Sequence, residues 1–205
     1  MDIEVAFDDQ FSSMKRLEEV VKHIVSEVLK KNKEELEILG VKNLKVPATK
    51  YLSYDESIDI LKKHKVKINK GDDLTPEAEK KLDEIYPNTI VFVHSWPMKL
   101  KPFYIMPKNA DPDSEYGEGF DALYLGVEIT SGGQRIHLPD VLEKMIKKKG
   151  LNPINFKSYI DSFRYGAPKH AGWSIGLERM TMILCGLDNI REATMFSRDR
   201  DRLVP

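Results

Sequence analysis

Hydrophobic and polar positions follow two different spacings near the start of the chain, and each predicts one kind of element. Residues 2–7 alternate with a period of two, which indicates a half-buried strand. Apolar residues then recur every three or four positions over residues 14–29, the spacing of one face of a helix. Ser12 or Ser13 can cap that helix at its N-terminus. The pattern therefore predicts a strand followed by a long amphipathic helix.

The rest of the chain mixes strand and helix patterns without regular β–α–β alternation. Ser53 with Glu56 forms a capping box, and Thr75 before Pro76 marks another helix start. Strands are predicted over residues 89–96, 102–107, 120–130 and 172–176, with a Gly-Gly turn after residue 130, and further helices over 139–149, 155–165 and 177–185. This order favours an α+β domain with a mainly antiparallel sheet.

Composition narrows the function classes without naming one. A chain of 205 residues suits one domain with its own core. The formal net charge of −1 excludes a global basic field that would hold nucleic acid non-specifically. Cys185 is the only cysteine, so neither a disulfide framework nor a thiolate metal cluster is expected. No run of 18 apolar residues and no signal-peptide pattern occur, so we expect no membrane partner and a cytoplasmic location.

The segment GWSIGLER, residues 172–179, suggests a nucleotide site. Glycines let a planar ligand approach the backbone, and the N-terminus of the following helix favours an anion. Arg179, one turn into that helix, offers a guanidinium group suited to phosphate. The alternative is a glycine-rich strand that packs tightly on a neighbour, with Glu178 and Arg179 as solvated helix residues.

The segment YLGVEITSGGQR, residues 124–135, carries acids that could hold a metal ion. Strand alternation places Glu128 on one face and Asp121 on the other, unless a bulge at Gly126 changes the phase. Carboxylates at such a position suit Mg²⁺ shared with nucleotide phosphates, and Arg135 could clamp a carboxylate. The alternative is an edge strand with exposed acids and a hairpin turn.

Several motifs in order resemble one known family. The segments FDALYLGVEITSGGQRIH and FRYGAPKHAGWSIGLERMTMIL, with KPFYIMP and DIEVAF before them, resemble the C-terminal catalytic region of class II aminoacyl-tRNA synthetases. The archaeal and eukaryotic aspartyl type is the most similar. The resemblance covers residues 1–205, from the second strand of motif 2 through motif 3, and it implies a partial class II fold, an antiparallel sheet flanked by helices.

The resemblance also implies a reaction and its participants. In this family ATP and L-aspartate give aspartyl-adenylate and pyrophosphate, and the aspartyl group then passes to a tRNA. Mg²⁺ assists the first step, and the parent enzyme is a homodimer. The implied partners are ATP, L-aspartate and the aspartate tRNA, with the asparagine tRNA as an open alternative.

Site residues follow from the resemblance, position by position. Motif 3 would bind ATP, with Arg179 on the γ-phosphate, and it comprises Gly176, Leu177, Glu178 and Arg179. Glu128 would bind ATP together with the metal, and Arg179 and Glu128 would be the catalytic residues. The implied Mg²⁺ ligands are Asp121, Glu128 and Ser131. The implied aspartate contacts are Asp2 to the ammonium group, Ser131, and Arg135 to the side-chain carboxylate.

The family also has parts with no counterpart in this sequence. They are an anticodon-binding barrel, motif 1, and the first half of motif 2 with its phosphate-binding arginine. We therefore expect a fragment or a shortened gene product, and a weak enzyme when the chain is isolated. Two other functions stay open: a paralogue that makes asparagine from aspartyl-adenylate, and a non-catalytic module that binds nucleotide or a partner chain.

Overall fold

A six-stranded sheet forms the framework of the molecule in the computed structural model, which describes residues 1–204. The strands lie in the order β1-β6-β5-β4-β3-β2, and only the β2–β3 pair is parallel. This arrangement confirms the predicted α+β fold. The strands are β1 (Asp2–Ala6), β2 (Ala48–Ser53), β3 (Thr89–His94), β4 (Gly119–Tyr124), β5 (Val127–Gln134) and β6 (His170–Ile175).

Seven α-helices flank this sheet: α1 (Gln10–Lys31), α2 (Lys33–Ile38), α3 (Tyr54–Lys63), α4 (Pro76–Ile85), α5 (Pro139–Lys148), α6 (Lys157–Arg164) and α7 (Leu177–Leu184). Short 3₁₀ turns lie at Lys108–Ala110, Pro153–Phe156 and Ile190–Ala193. In the part of the chain described, no helix has both the length and the apolar character needed to cross a membrane.

Alternating positions of the strands bury two separate cores. Phe92 packs with Met14 and Leu17 of α1 on one face of the sheet. Val91 and Val93 belong to the core beneath α3 and α4 on the other face, as the period of two requires. The first face is therefore covered by α1, and the second face is covered by helices at the β2–β3 end.

The helix starts follow the capping signals, with one correction. Ser53 and Glu56 form the expected capping box, and Thr75 caps α4. The cap of α1, however, is Asp9, whose carboxylate accepts a hydrogen bond from the Ser12 backbone N–H at 2.9 Å. Neither Ser12 nor Ser13 is the cap, because a carboxylate three residues upstream satisfies the same free amide.

The predicted strand over residues 120–130 is wrong, because the chain turns within it. Leu125 and Gly126 both have positive φ, 52° and 76°, which suits a two-residue hairpin turn between β4 and β5. Gly132 and Gly133, expected to form a turn, lie inside β5 instead. The Gly-Gly pair therefore serves packing rather than chain reversal.

The predicted strand over residues 102–107 is also absent. The segment forms isolated bridges from Ile105 to Arg135 and from Pro107 to Gly117, and the Met106 N–H donates to the Gln134 carbonyl oxygen at 2.9 Å. Pro102 and Pro107 have no backbone N–H to donate, so a continuous ladder cannot form there. The segment crosses the ends of β4 and β5 as an irregular strap.

A row of three glycines runs across the face of the sheet opposite α1. Glu4 of β1 pairs with Gly172, Gly172 with Gly133, and Gly133 with Gly119. A Cβ on Gly172 would collide with the Ile3 carbonyl oxygen and the Glu4 carboxyl group. A Cβ on Gly133 would lie 2.7 Å from the Glu118 carbonyl oxygen. This row is therefore a shallow trough that other residues fill.

Gly132 faces the α1 core, and we expect Gly132→Ala to destabilise the chain by about 1–3 kcal/mol through overpacking. Its Cβ would lie 2.5 Å from Phe120 Cζ and 2.7 Å from the Gly172 carbonyl oxygen. Gly176→Ala is the control, because its Cβ would meet nothing closer than Arg179 Cβ at 3.8 Å. Urea unfolding of both variants measures the difference, and equal midpoints would contradict the packing role of Gly132.

Candidate active site

One row of residues crosses the sheet on the same face as the glycine trough. Asp2 pairs with Ser174, Ser174 with Ser131, and Ser131 with Asp121. Residues directly opposite one another in a sheet project from the same face. Strand register alone therefore brings Asp2, Ser131 and Asp121 into line, although they lie far apart in sequence.

A cavity of about 280 Å³ opens over the part of this row formed by Asp2, Ser174 and Ser131. The three residues predicted to bind aspartate all line it: Asp2, Ser131 and Arg135. Further lining comes from Glu4, Lys101, Pro102, Tyr104, Ile105, Gly132, Trp173 and Ser174. The cavity thus carries acidic groups from β1 and basic groups from Lys101 and Arg135, which suits a small zwitterionic ligand.

Arg135 is held in place at the end of β5. Its Nε and Nη2 both donate to Glu4 Oε1, at 3.0 and 2.7 Å. The Tyr104 ring centroid lies 5.5 Å from the guanidinium carbon, within range of a cation–π contact. The Arg135 side chain is only 18% exposed. A cation fixed on two sides is a suitable receptor for a carboxylate.

A buried ion pair lies at the other end of the row. Lys101 Nζ donates to Asp121 Oδ2 at 2.6 Å, and Ser131 Oγ donates to Asp121 Oδ1 at 2.7 Å. Lys101 also lies over the Trp96 ring, 4.2 Å from its centroid. Asp121 therefore has both oxygens engaged, which compensates for burying its charge.

Glu128 lies on the same side of the sheet as Asp121, contrary to the simple alternation. The register shifts between Ala122 and Leu123, so that Ala122 pairs with Thr130 but Leu123 pairs with Glu128. The turn at Leu125 and Gly126 folds β5 back on β4, so Glu128 pairs with Leu123 and projects from the face that Leu123 shares with Asp121. Ile129 is an extra residue in β5, and this bulge places Ser131 rather than Thr130 opposite Asp121. Burial and the nearby charge of Asp121 raise the pKa of Glu128, while Arg179 lowers it.

The predicted motif 3 residues lie at the start of α7, beside Glu128. Arg179 Nη1 donates to the Glu128 backbone oxygen at 2.6 Å and lies 3.7 Å from its Oε2. Gly176 is the N-cap of α7, and the side chains of Leu177 and Glu178 are exposed on its first turn. Arg179 therefore contacts Glu128, whereas the side chains of Leu177 and Glu178 face solvent.

Glu79 of α4 adds a third acid to this end of the site. Its Oε2 accepts a hydrogen bond from the Glu128 backbone N–H at 3.1 Å. Burial raises the pKa of Glu79, and the charge of Glu128 adds to that effect. The end of the site near α7 is therefore rich in negative charge that the protein neutralises only in part.

Sequence reasoning missed three residues that shape the site. Glu4 shares the period-two phase of Asp2, so the alternation of β1 could have placed it on this face. Lys101 lies just before the irregular strap, and Glu79 lies on α4. No local sequence pattern connects either residue to β4 or β5. The structure brings Asp121, Glu128, Ser131 and Arg179 together at one end, with the Asp2 and Arg135 cavity beside them.

This fold is shared with a known class of enzyme. The family of class II tRNA synthetases (D, K and N) matches residues 1–200. The chain belongs to this family.

Individual relatives and solved structures agree with this membership. The chain is 44% identical over its full length to an "Aspartate--tRNA(Asp/Asn) ligase" of Methanocaldococcus jannaschii, and 40% identical to an "Aspartate--tRNA(Asp) ligase" of Thermoplasma acidophilum. It spans 46% and 47% of their lengths. It also fits aspartyl-tRNA synthetase from Entamoeba histolytica, with a TM-score of 0.89, 36% identity and 44% of that chain covered. It fits asparaginyl-tRNA synthetase from Pyrococcus horikoshii with a TM-score of 0.91 and 34% identity, covering 49% of that chain. In each structural match the whole of the present chain is covered.

The raised pKa of Glu128 gives a pH-dependent prediction. Ionised Glu128 destabilises the folded chain, and this penalty appears as pH rises from the ordinary glutamate value through the raised folded-state pKa. We expect Glu128→Gln to be more stable than the parent at pH 7–8, with the difference shrinking toward pH 4. Urea unfolding across this range measures it. A difference that is constant with pH would show that the charge of Glu128 carries no such cost.

Proposed function

We propose that this chain is the catalytic region of an aspartate–tRNA ligase, which uses ATP to form aspartyl-adenylate with release of pyrophosphate and then transfers the aspartyl group to tRNA. The observation that carries the proposal is the cavity in which Arg135 and Asp2 lie beside the acids that face Arg179. Relatives named as aspartate ligases, at 40–44% identity, support the choice of amino acid. We further propose that residues 1–205 are the C-terminal part of the catalytic domain, from the second strand of motif 2 through motif 3.

L-Aspartate carries one ammonium group and two carboxylates, and the cavity offers a complementary group for each end. We assign Asp2 to the ammonium group and Arg135 to the side-chain carboxylate, with Ser131 between them. An arginine can bind a carboxylate with two parallel hydrogen bonds, which a neutral carboxamide cannot match. Arg135 is therefore the selector of aspartate over asparagine in this proposal.

The opposite end of the site fits ATP with Mg²⁺. Within residues 1–204, no group of three or more histidine, cysteine, aspartate or glutamate side chains could hold a metal ion without other ligands. Mg²⁺ is commonly bound by one or two carboxylates, with the remaining ligands from phosphates and water. Asp121, Glu128 and Ser131 supply such oxygen atoms, and burial together with the nearby charge of Asp121 raises the pKa of Glu128. When bound, Mg²⁺ would offset charge on the phosphates.

The chemistry requires positioning rather than a nucleophilic side chain. The α-carboxylate oxygen of aspartate attacks the α-phosphorus of ATP, forming the mixed anhydride as the bond to pyrophosphate breaks. Asp2 and Arg135 would hold the amino acid, and Arg179 would stabilise charge on the γ-phosphate as pyrophosphate leaves. A tRNA hydroxyl then attacks the aspartyl carbonyl carbon and releases AMP. The roles of Gly176, Leu177 and Glu178 in binding ATP stay predictions.

The tRNA partner and the assembly are also proposals. The two relatives above carry the names tRNA(Asp/Asn) and tRNA(Asp), so we propose tRNA(Asp) as the partner, with tRNA(Asn) as the alternative. A homodimeric parent enzyme and a cytoplasmic location stay predictions from the sequence.

Exchange between ATP and labelled pyrophosphate tests the reaction. We expect exchange that depends on L-aspartate and not on L-asparagine. Arg135→Ala and Arg179→Ala should each reduce it by at least about tenfold, because each removes a charge-assisted contact. Arg164→Ala, on the exposed surface of α6, is the matched control. Equal exchange with asparagine would refute the amino-acid assignment. ATP binding that needs Arg179, with no exchange, would favour a nucleotide-binding module.

Thermal unfolding tests the metal site without relying on turnover. Ligands that bind only the folded state raise its stability by mass action. We expect MgCl₂ with ATP to raise the Tm of the parent chain more than ATP with EDTA does, and Glu128→Gln to lose that difference. Glu143→Gln, on the far helix α5, is the control. An unchanged magnesium effect in Glu128→Gln would remove Glu128 from the set of proposed ligands.

A further inference from the structure

We propose that Glu4 is the positioning residue for Arg135, and that Gly172 is a glycine because the Glu4 side chain must pass over it. The inference rests on the proposed role of Arg135 as the receptor for the substrate carboxylate. It assigns a function to Glu4, which neither contributes to the metal-binding end nor was expected from the motif resemblance. It also gives a physical reason for one glycine of the GWSIG strand.

The path of Glu4 across the sheet is specific. Glu4 lies on edge strand β1 and pairs with Gly172 of β6, whereas Arg135 follows β5, one strand further in. A Cβ on Gly172 would collide with both Cδ and Oε2 of Glu4. Only the missing side chain at position 172 lets the carboxylate lie over β6 and reach the guanidinium group, 131 positions away in sequence.

The N–H donors of Arg135 lie on two edges of its guanidinium group, and Glu4 occupies one of these edges. Guanidinium has five N–H groups in a rigid fork. Glu4 Oε1 takes one from Nε and one from Nη2, which is the side edge of the group. The end edge, formed by Nη1 and the second N–H of Nη2, stays available for bidentate binding. Glu4 thus fixes the plane and direction of the guanidinium group without using the edge that a substrate would need.

Glu4 also keeps Arg135 away from the other acids of the cavity. Asp121 is already engaged by Lys101 and Ser131. Asp2 lines the same cavity as Arg135 and is the acid proposed to receive the substrate ammonium group. An unrestrained Arg135 would be attracted to Asp2, and that pairing would block both ends of the amino-acid site. Holding Arg135 on Glu4 therefore keeps the two subsites separate.

A role in positioning differs measurably from a role in stability. The Glu4 side chain is 52% exposed, and ion pairs with this much solvent contact contribute little to folding. We therefore expect Glu4→Ala to unfold at the same urea midpoint as the parent chain, yet to bind L-aspartate at least about tenfold more weakly. The preference for aspartate over asparagine should fall by a similar factor.

The experiment is calorimetric titration of the 205-residue chain with L-aspartate and L-asparagine. Glu4→Gln retains an oxygen acceptor of the same length, so its aspartate Kd should stay within about threefold of the parent. Glu143→Ala, which removes another glutamate near an arginine, is the control and should bind like the parent. The proposal is overturned if Glu4→Ala binds aspartate as tightly as the parent or more tightly, or if Glu4→Gln loses as much affinity as Glu4→Ala.

Two further measurements distinguish a failure of the Glu4 proposal from a failure of the proposed role of Arg135. Arg135→Ala in the same titrations tests the proposed function itself: parent-like aspartate binding by that variant would refute the assignment of Arg135, whatever Glu4 does. NMR of the Arg135 Nε–H group needs no ligand. We expect a resolved, slowly exchanging signal in the parent and in Glu4→Gln that is lost in Glu4→Ala. A signal unchanged in Glu4→Ala would show that Glu4 does not hold the guanidinium group.

Discussion

The candidate site depends on the absence of side chains along one row of the sheet. Gly172, Gly133 and Gly119 lie side by side on β6, β5 and β4. Because none has a Cβ, side chains from outside the row can lie directly on the backbone: Glu4 over Gly172, and the Ile105 and Lys101 side chains beside Gly119. A side chain at position 172 would collide with the Glu4 carboxyl group and so separate Glu4 from Arg135. Backbone packing therefore sets where the charged groups of the site can meet.

Charge is distributed along the site in two unequal parts. The cavity has cations and acids in close pairs, with Arg135 on Glu4 and Lys101 on Asp121. The end near α7 has Glu79 and Glu128 with Arg179 as a partly exposed counterion, and burial raises the pKa of both acids. A balanced cavity suits a zwitterion, whereas a surplus of carboxylate suits a hard cation with phosphates. The hairpin between β4 and β5 brings Glu128 to the face that Asp121 occupies, and the bulge at Ile129 brings Ser131 to the same face.

Local patterns predicted those parts of the fold whose interactions are local. The capping box of Ser53 and Glu56 and the alternation of β1 need only a few neighbouring residues, and both are confirmed. The hairpin at Leu125 was missed because a leucine with positive φ has no sequence signature. The predicted facing of Glu128 was wrong for the same reason, because the missed hairpin interrupts the alternation between Asp121 and Glu128. The Glu4–Arg135 contact joins positions 131 apart, so only the folded register could reveal it. The site residues assigned by resemblance stay predictions, although the structure brings most of them together.

Selectivity between amino acids cannot reside in the backbone of this fold. The chain fits an asparaginyl-tRNA synthetase and an aspartyl-tRNA synthetase almost equally well, with TM-scores of 0.91 and 0.89. Aspartate and asparagine have nearly the same size, so the shape of a cavity separates them weakly, whereas a fixed charge opposite the differing group separates them strongly. A long arginine side chain is flexible, and its discrimination is only as good as its orientation. In the proposal that Arg135 receives the substrate carboxylate, the restraint that Glu4 places on it across a glycine is therefore a more direct determinant of specificity than any feature of the fold that the two kinds of enzyme share.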